Sequence, residues 1–285
     1  MIDSPLASLS AWTQAFAEAE IPVLPGSVAE LTQLRAIEEA HGSVDAHTLA
    51  DSFGNDPLMT LNVLVHAAKM CTRQSAEPPE TLVGSIVMMG ISPFFSAFEK
   101  TTDILTWLRD TPAAISGLIK VITRARRSAN FALSFALHRQ DEDVVVVQEA
   151  AMLHDFAEML LWCHAPTLAL EIATRQKMDF RVRSVDIQRE VLGIDLVDLG
   201  QALMQHWRLP DLLRQTTDDH NARHPKVKTV MLAVRLARHT QYGWHDPHAQ
   251  AALPDDIADI AQLLTLSPEA TRRLIEGLDN VPASS

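Results

Sequence analysis

The sequence predicts an all-α protein built from two packed helical lobes, and three observations lead to this fold class. Glycine occurs only 10 times in 285 residues and aromatic residues make up 5%, a balance that favours helices over sheets. Hydrophobic residues make up 47% of the chain, which is enough for a substantial core, and they recur at helical spacing. Prolines interrupt this spacing at intervals that suit helices of ordinary length.

The N-terminal part of the chain divides into short helices. Pro22 and Pro25 force an extended crossing after the first of them. Asp56 followed by Pro57 is typical of a helix start, with aspartate as the N-cap and proline in the first turn. The segment 90–93, Gly-Ile-Ser-Pro, is expected to end the last helix of this part. The helices are predicted over 6–19, 27–40, 45–53, from 56 onward, and over 81–89.

The C-terminal part begins with a longer helix, predicted over 113–138 and followed by a polar turn. The four valines at 144–147 have strand propensity, but acidic residues precede them and Gln-Glu-Ala-Ala-Met-Leu follows. We therefore interpret them as the first turns of another helix. That helix is expected to continue through 149–162, where it is apolar almost all the way round and hence buried. Near the C-terminus, Pro247 separates His245 from His248, so this segment is predicted to be a loop rather than a metal site.

The two lobes are predicted to meet near residue 110, giving divisions at 1–110 and 111–285. The first holds 14 acidic and 5 basic residues, and the whole chain has a formal net charge of −12. A chain of this charge without a basic face repels phosphate backbones, so nucleic acid is not an expected partner. Its one basic cluster comprises Lys120, Arg124, Arg126 and Arg127, and the first three are interpreted as a solvated helix face.

No stretch approaches the roughly 20 apolar residues of a membrane span. The N-terminus also lacks the basic region of a signal peptide. We therefore expect a soluble, cytoplasmic protein without a membrane partner. Cys71 and Cys163 are the only cysteines, and without CxxC spacing they are predicted to be reduced core thiols.

The doublet His154-Asp155 is the strongest candidate for a functional site. It lies inside the apolar helix predicted over 149–162, and a buried ionisable pair costs several kcal/mol unless a partner compensates it. Neutral imidazole and carboxylate are both good ligands for a divalent metal. A His-Asp pair in a helical protein is therefore what a metal phosphohydrolase would use.

Several segments together resemble the HDOD domain, over about residues 15–245. The N-terminal lobe of that family is matched by Ile-Pro-Val-Leu-Pro at 21–25, by 45–64 and by Thr-Leu-Val-Gly-Ser-Ile-Val-Met-Met-Gly-Ile at 81–91. The later landmarks are matched by 150–158, 190–195, Gly200, Trp-Arg-Leu-Pro at 207–210, and His220. The resemblance implies a C-terminal lobe similar to HD domains. It also implies a bacterial signalling protein related to the HD and HD-GYP metal phosphohydrolases but not catalytic.

The resemblance also indicates which metal ligands this chain has lost. Where the hydrolases carry their first histidine, this chain has Arg127, and Leu196 stands where the HD-GYP branch has a further histidine. The closing aspartate should fall in 231–236, which contains no carboxylate, and the lysine that follows the doublet is Glu158 here. Of the ligand set, His154, Asp155 and His220 remain in register. We therefore expect no bound metal and no other cofactor; any metal retained would use those three residues.

Arg127 brings a permanent positive charge to the place of the metal, and its planar guanidinium suits a carboxylate bidentately. We expect it to replace the ion by pairing with Asp155 or Glu158. An open alternative is that Arg127 points to solvent and backbone groups satisfy the doublet.

Two functions follow from these residues. The first is a non-catalytic regulatory module, a pseudoenzyme that binds a signalling protein or a nucleotide-type ligand through a degenerate HD-type cleft formed around Arg127, His154, Asp155, Glu158 and His220. The second is a metal-dependent phosphodiesterase, acting on a nucleotide or cyclic dinucleotide with a reduced His-Asp-His site. The missing ligands favour the first. The sequence leaves the partner, the upstream signal and the oligomeric state open.

Overall fold

The protein is helical throughout the part that the computed structural model describes, residues 1–179 and 182–279. Those residues contain no β-strand, although an isolated parallel β-bridge joins Val23 and Asp103. The predicted all-α class is therefore confirmed. The first seven helices are α1 Leu9–Ala17, α2 Pro25–His41, α3 Ala46–Phe53, α4 Pro57–Gln74, α5 Leu82–Met89, α6 Ile91–Ala97 and α7 Ile104–Trp107.

The long helix α8, Pro112–His138, opens the second half, close to its predicted bounds. No helix in the described residues is long and apolar enough to cross a bilayer. The remaining helices are α9 Val144–Leu153, α10 Phe156–His164, α11 Pro166–Met178, α12 Ser184–Leu192, α13 Leu196–Trp207, α14 Asp211–Thr216, a 3-10 turn at Asp219–Asn221, α15 Pro225–His239, α16 Pro247–Leu264 and α17 Pro268–Asp279.

The chain forms two compact units, and it alternates between them. Unit 1 comprises Met1–Ile122 and Asp155–Asp211, and unit 2 comprises Thr123–His154 and the chain from Leu212 onward. One crossing between the units falls inside α8, and another falls between His154 and Asp155. These units are not the same divisions as the lobes 1–110 and 111–285, and those lobes stay a prediction.

The helix starts of unit 1 follow local sequence signals. The Asp56 side chain caps α4 as predicted, accepting hydrogen bonds from the backbone N–H groups of Leu58 at 2.9 Å and Met59 at 3.2 Å. Its second oxygen accepts from Leu24 N–H at 2.8 Å and from the Ser27 hydroxyl at 2.7 Å. This one buried carboxylate therefore ties the start of α2 to the start of α4.

The segment 90–93 was predicted to end a helix, and α5 does end at Met89, with Gly90 at φ +79° as its C-cap. What the sequence did not predict is that α6 starts directly at Ile91, with Pro93 in its first turn. One correction concerns a helix start. The segment 245–248 was predicted to be a loop. Instead Asp246 caps α16 and Pro247 is its first residue, the same signal that starts α4.

Aromatic side chains form much of the core of unit 1. Phe94 packs against Phe53 and Phe98, with ring centroids 5.8 and 5.0 Å away. The indole N–H of Trp12 donates to the Leu192 carbonyl at 3.2 Å, and that of Trp207 donates to the Ala17 carbonyl at 3.3 Å. These bonds fix α1 against α12 and α13 while satisfying two buried donors. Both cysteines are buried and free, as predicted.

In unit 2, α15 packs against α9 and α16. Asp256 on α16 is buried, and it meets two side chains of α15: Arg235 Nε lies 2.7 Å from Oδ1 and His239 Nδ1 lies 2.7 Å from Oδ2. Because a buried carboxylate is costly without such partners, this cluster fixes how α15 and α16 pair.

The doublet does not lie inside a continuous helix, which corrects the expectation for 149–162. His154 follows the last residue of α9, and Asp155, with φ −98° and ψ 20°, precedes the first residue of α10. The Asp155 carbonyl accepts from the N–H groups of Glu158 and Met159, so a new hydrogen-bond ladder starts there. The doublet thus lies at a helix break, where its two side chains belong to different units.

Candidate functional site

Arg127, on α8 in unit 2, has a guanidinium whose five N–H groups are all engaged. Nε donates to Asp279 Oδ1 at 3.0 Å, and Nη2 donates both to Asp279 Oδ2 and to the Thr240 hydroxyl, the latter at 2.8 Å. Nη1 donates to the carbonyls of Ala237 and Thr240, each at 3.2 Å. The arginine thus joins α8 to the ends of α15 and α17.

Aromatic rings complete this cluster. The guanidinium carbon lies 5.7 Å from the centroid of the Phe131 ring, one helical turn along α8. Trp244 packs edge-on against Phe131, with centroids 6.5 Å apart, and its indole N–H donates to Asp279 Oδ2 at 2.9 Å. The Asp279 carboxylate therefore receives hydrogen bonds from a cation and an indole, as a partly buried charge requires.

The predicted pairing of Arg127 with Asp155 or Glu158 is wrong, because the described partners account for every donor of the guanidinium. The solvent-facing alternative is wrong as well, since the Arg127 side chain is only 20% exposed. Sequence reasoning missed Asp279 and Trp244. Neither carries a local motif, and Asp279 is 152 residues away from Arg127.

His154 finds its partner in the 3-10 turn that precedes α15. Its Nε2 lies 3.0 Å from Asp219 Oδ1, and the two side chains are 6% and 30% exposed. Asp218 caps that turn by accepting a hydrogen bond from His220 N–H at 3.1 Å. In this turn Asp219 contacts His154, and the neighbouring His220 is exposed. Asp219, absent from the predicted set, is the carboxylate that this histidine meets.

The structure does not gather the predicted ligands into a metal centre. In the described residues, no group of three or more His, Cys, Asp or Glu side chains is placed to hold a metal ion. His154 and Asp219 supply two side chains that can ligate a metal. Their contact with each other already occupies one imidazole nitrogen and one carboxylate oxygen. A stable site needs at least three or four protein ligands.

Glu158 and Leu196 both lie in unit 1, where they line a cavity of about 30 Å³. Leu196 is buried and is the first residue of α13, whose N-cap, Asp195, is itself held by Arg189 Nη2 at 2.9 Å. The position at which the resemblance places a histidine is therefore a buried leucine that lines the same small cavity as Trp162.

Comparisons with known proteins agree with this fold. The sequence profile of the HDOD domain matches residues 21–223. The response regulator MmoQ from Methylococcus capsulatus str. Bath is 17% identical, with a TM-score of 0.64 over 91% of this chain and 99% of that chain. A virulence factor from Campylobacter jejuni subsp. jejuni is 19% identical, with a TM-score of 0.65 over 97% of this chain and 95% of that chain. No curated protein matches the chain.

Proposed function

This chain belongs to the HDOD domain family, and we propose that it is a non-catalytic bacterial regulatory module, which binds a protein or a small ligand and hydrolyses neither. One observation carries the proposal. The guanidinium of Arg127 directs all its hydrogen-bonding capacity to protein groups. The family resemblance places the first metal ligand of the related hydrolases at this residue, so a structural cation here supports the loss of that ligand.

Electrostatics support this interpretation. A guanidinium stays protonated at every accessible pH, so Arg127 cannot become a metal ligand by losing a proton. Of the three retained candidates, His154 is engaged with Asp219 and His220 is exposed. The described residues contain no group of three or more ligating side chains placed to hold a metal ion, and fewer are not enough for the Lewis-acid chemistry of a phosphohydrolase.

The competing function is a metal-dependent phosphodiesterase that acts on a nucleotide or cyclic dinucleotide. The contact of His154 with Asp219 is the observation that favours it, because imidazole and carboxylate both ligate divalent metals and these two lie 3.0 Å apart. In that case a metal would displace the mutual contact and draw in further ligands from water or substrate.

Metal content and turnover of the purified protein distinguish the two functions. We expect less than stoichiometric transition metal by mass spectrometry, and no manganese-dependent hydrolysis of bis(p-nitrophenyl) phosphate or of a cyclic dinucleotide. The His154→Ala variant is the control, because turnover from a contaminating hydrolase would survive it. Stoichiometric metal together with turnover that His154→Ala abolishes would establish the phosphodiesterase instead.

A further inference from the structure

Unit 1 contains a cavity of about 370 Å³, and none of the residues that line it belongs to the cluster around Arg127. Its walls come from α4, from the chain between α1 and α2, from the end of α6 with the turn after it, and from the end of α13. This volume falls in the range of about 300–1,000 Å³ that is usual for small-molecule sites. None of the residues predicted from the sequence as site candidates lines it.

The cavity has a fixed apolar base. Phe98 and Trp207 are both buried, and the Trp207 indole is held by its bond to the Ala17 carbonyl. Asn62 Nδ2 donates to the Ile21 carbonyl at 3.3 Å, which holds α4 to the chain after α1. The ring of His66 packs against Phe98, with centroids 5.7 Å apart. A ligand would therefore meet walls that are already formed.

Positive charge is concentrated at this cavity. The first 110 residues contain only five basic residues, and two of them, Lys69 and Lys100, line the cavity. Both are exposed, and within residues 1–179 and 182–279 neither has an ion-pair partner. In contrast, Arg35 pairs with glutamates and Arg109 pairs with Asp110. Two uncompensated cations thus border an apolar base in an otherwise acidic part of the chain.

The other titratable groups of the cavity leave this charge in place. Burial, reinforced by the charges of Lys69 and Arg73, lowers the pKa of His66, which favours its neutral imidazole. The exposed carboxylate of Glu20 is the one acidic group among the residues that line the cavity. The balance is a positive rim, which attracts anions.

We propose that this cavity binds a small organic anion, whose phosphate or carboxylate group pairs with Lys69 and Lys100 and whose apolar, ring-bearing part lies against Phe98 and Trp207. Such a ligand satisfies the two lysines and covers the apolar base at the same time. The inference rests on the proposed function in one respect: the ligand has a regulatory role only if the protein is a regulatory module. Binding itself requires neither the presence nor the absence of metal chemistry.

Calorimetric titration of the full chain with matched probes tests the proposal. Adenosine 5′-monophosphate is compared with adenosine, and indole-3-acetate with indole-3-acetamide, so that each pair differs mainly in the anionic group. We expect at least one anion to bind, with its neutral counterpart at least about tenfold weaker, as the loss of a charged contact implies. The anion that binds more tightly shows whether the cavity prefers phosphate or carboxylate. The affinity of inorganic phosphate, compared with that of adenosine 5′-monophosphate, shows how much the ring-bearing part adds to binding.

Variants assign the binding to this cavity. Lys69→Ala combined with Lys100→Ala should weaken the anion at least about tenfold, and Glu20→Gln should strengthen it, because it removes the opposing charge. Arg109→Ala, which removes an exposed cation elsewhere in unit 1, should leave affinity unchanged. The proposal is overturned if none of the anions binds, if the neutral probes bind equally well, or if the double lysine variant binds like the unaltered protein. None of these results bears on the metal test above.

Discussion

Arg127 holds both carboxylate oxygens of Asp279, with Nε 3.0 Å from Oδ1 and Nη2 in contact with Oδ2. The two side chains are about four-fifths buried, at 20% and 21% exposure. Bidentate geometry at that burial makes this pair far stronger than an ordinary surface ion pair. Removing either side chain leaves the other charge partly buried without its partner.

We expect Arg127→Ala to lower the free energy of unfolding by about 2–4 kcal/mol, somewhat below the cost of breaking a fully buried pair because water still reaches the site. Asp279→Ala should cost a similar amount. In a double-mutant cycle by urea denaturation, the two changes should couple by more than about 1 kcal/mol. Lys120→Ala, on an exposed position of the same helix, is the control and should change little. Additive effects of the two substitutions would refute the pairing.

A second prediction concerns Gly117, which faces Trp162 within unit 1. A Cβ at residue 117 would lie 2.5 Å from both Cζ2 and Cζ3 of the indole, and nearer still to Cη2. Alanine normally stabilises a helix by up to about 1 kcal/mol relative to glycine. Here the buried indole cannot move aside without disturbing the core, so the clash outweighs that gain.

Gly117→Ala should therefore lower the melting temperature, at a net cost of about 1–3 kcal/mol. Gly277→Ala is the matched control, since a Cβ there meets nothing within 4 Å, and it should be neutral or slightly stabilising. If Gly117→Ala raised the melting temperature as Gly277→Ala does, the close approach of Trp162 would be disproved.

A third prediction compares two helix caps. Asp45 is exposed and caps α3 through one bond to Thr48 N–H at 2.8 Å, whereas Asp56 is buried and accepts four hydrogen bonds. Asp45→Ala should cost about 1 kcal/mol. Asp56→Ala should cost about 2–4 kcal/mol, because it also leaves the part-buried N–H of Leu24 and the buried hydroxyl of Ser27 without an acceptor. Equal losses in chemical denaturation would show that the extra bonds of Asp56 contribute nothing.

These caps show which parts of the fold the sequence could predict. Asp56-Pro57 and the bounds of α8 depend on residues close together in the chain, so local rules found them. The break at His154-Asp155 was not predicted, because apolar residues continue on both sides of it and no glycine or proline marks it. The correct fold class and family came from patterns repeated along the whole chain.

The site was harder to predict because its contacts are long-range. Arg127 was singled out for its position, but its partner Asp279 is 152 residues away. His154 and Asp219 are 65 residues apart. The cavity near Lys69 joins segments that include Trp207, and none of them carries a ligand motif. The spacing of residues within one helix cannot predict these long-range contacts, because they depend on tertiary packing.

The last prediction concerns the buried His164 at the end of α10. Its ring lies between those of Phe16 and Trp107, with centroids 5.7 and 5.5 Å away, and Nε2 has no hydrogen-bond partner among the described residues. Burial is the main cause that lowers the pKa of His164 from 6.5 to about 4. The histidine is therefore neutral in the folded protein at pH 5, whereas in the unfolded chain it is protonated.

Because the unfolded state binds this proton first, stability falls as the pH drops from about 6.5 towards 4 and is fully retained above pH 7. Between pH 7.5 and pH 5 the loss from this one group should be about 2 kcal/mol. We expect the stability difference between the unaltered protein and His164→Leu to change by that amount in urea denaturation at the two pH values, in the direction that favours the variant at pH 5. The exposed His206→Leu serves as the control and should show a much smaller change. A His164→Leu difference that stays constant with pH would mean that this imidazole is protonated equally in both states, which its burial against two aromatic rings argues against.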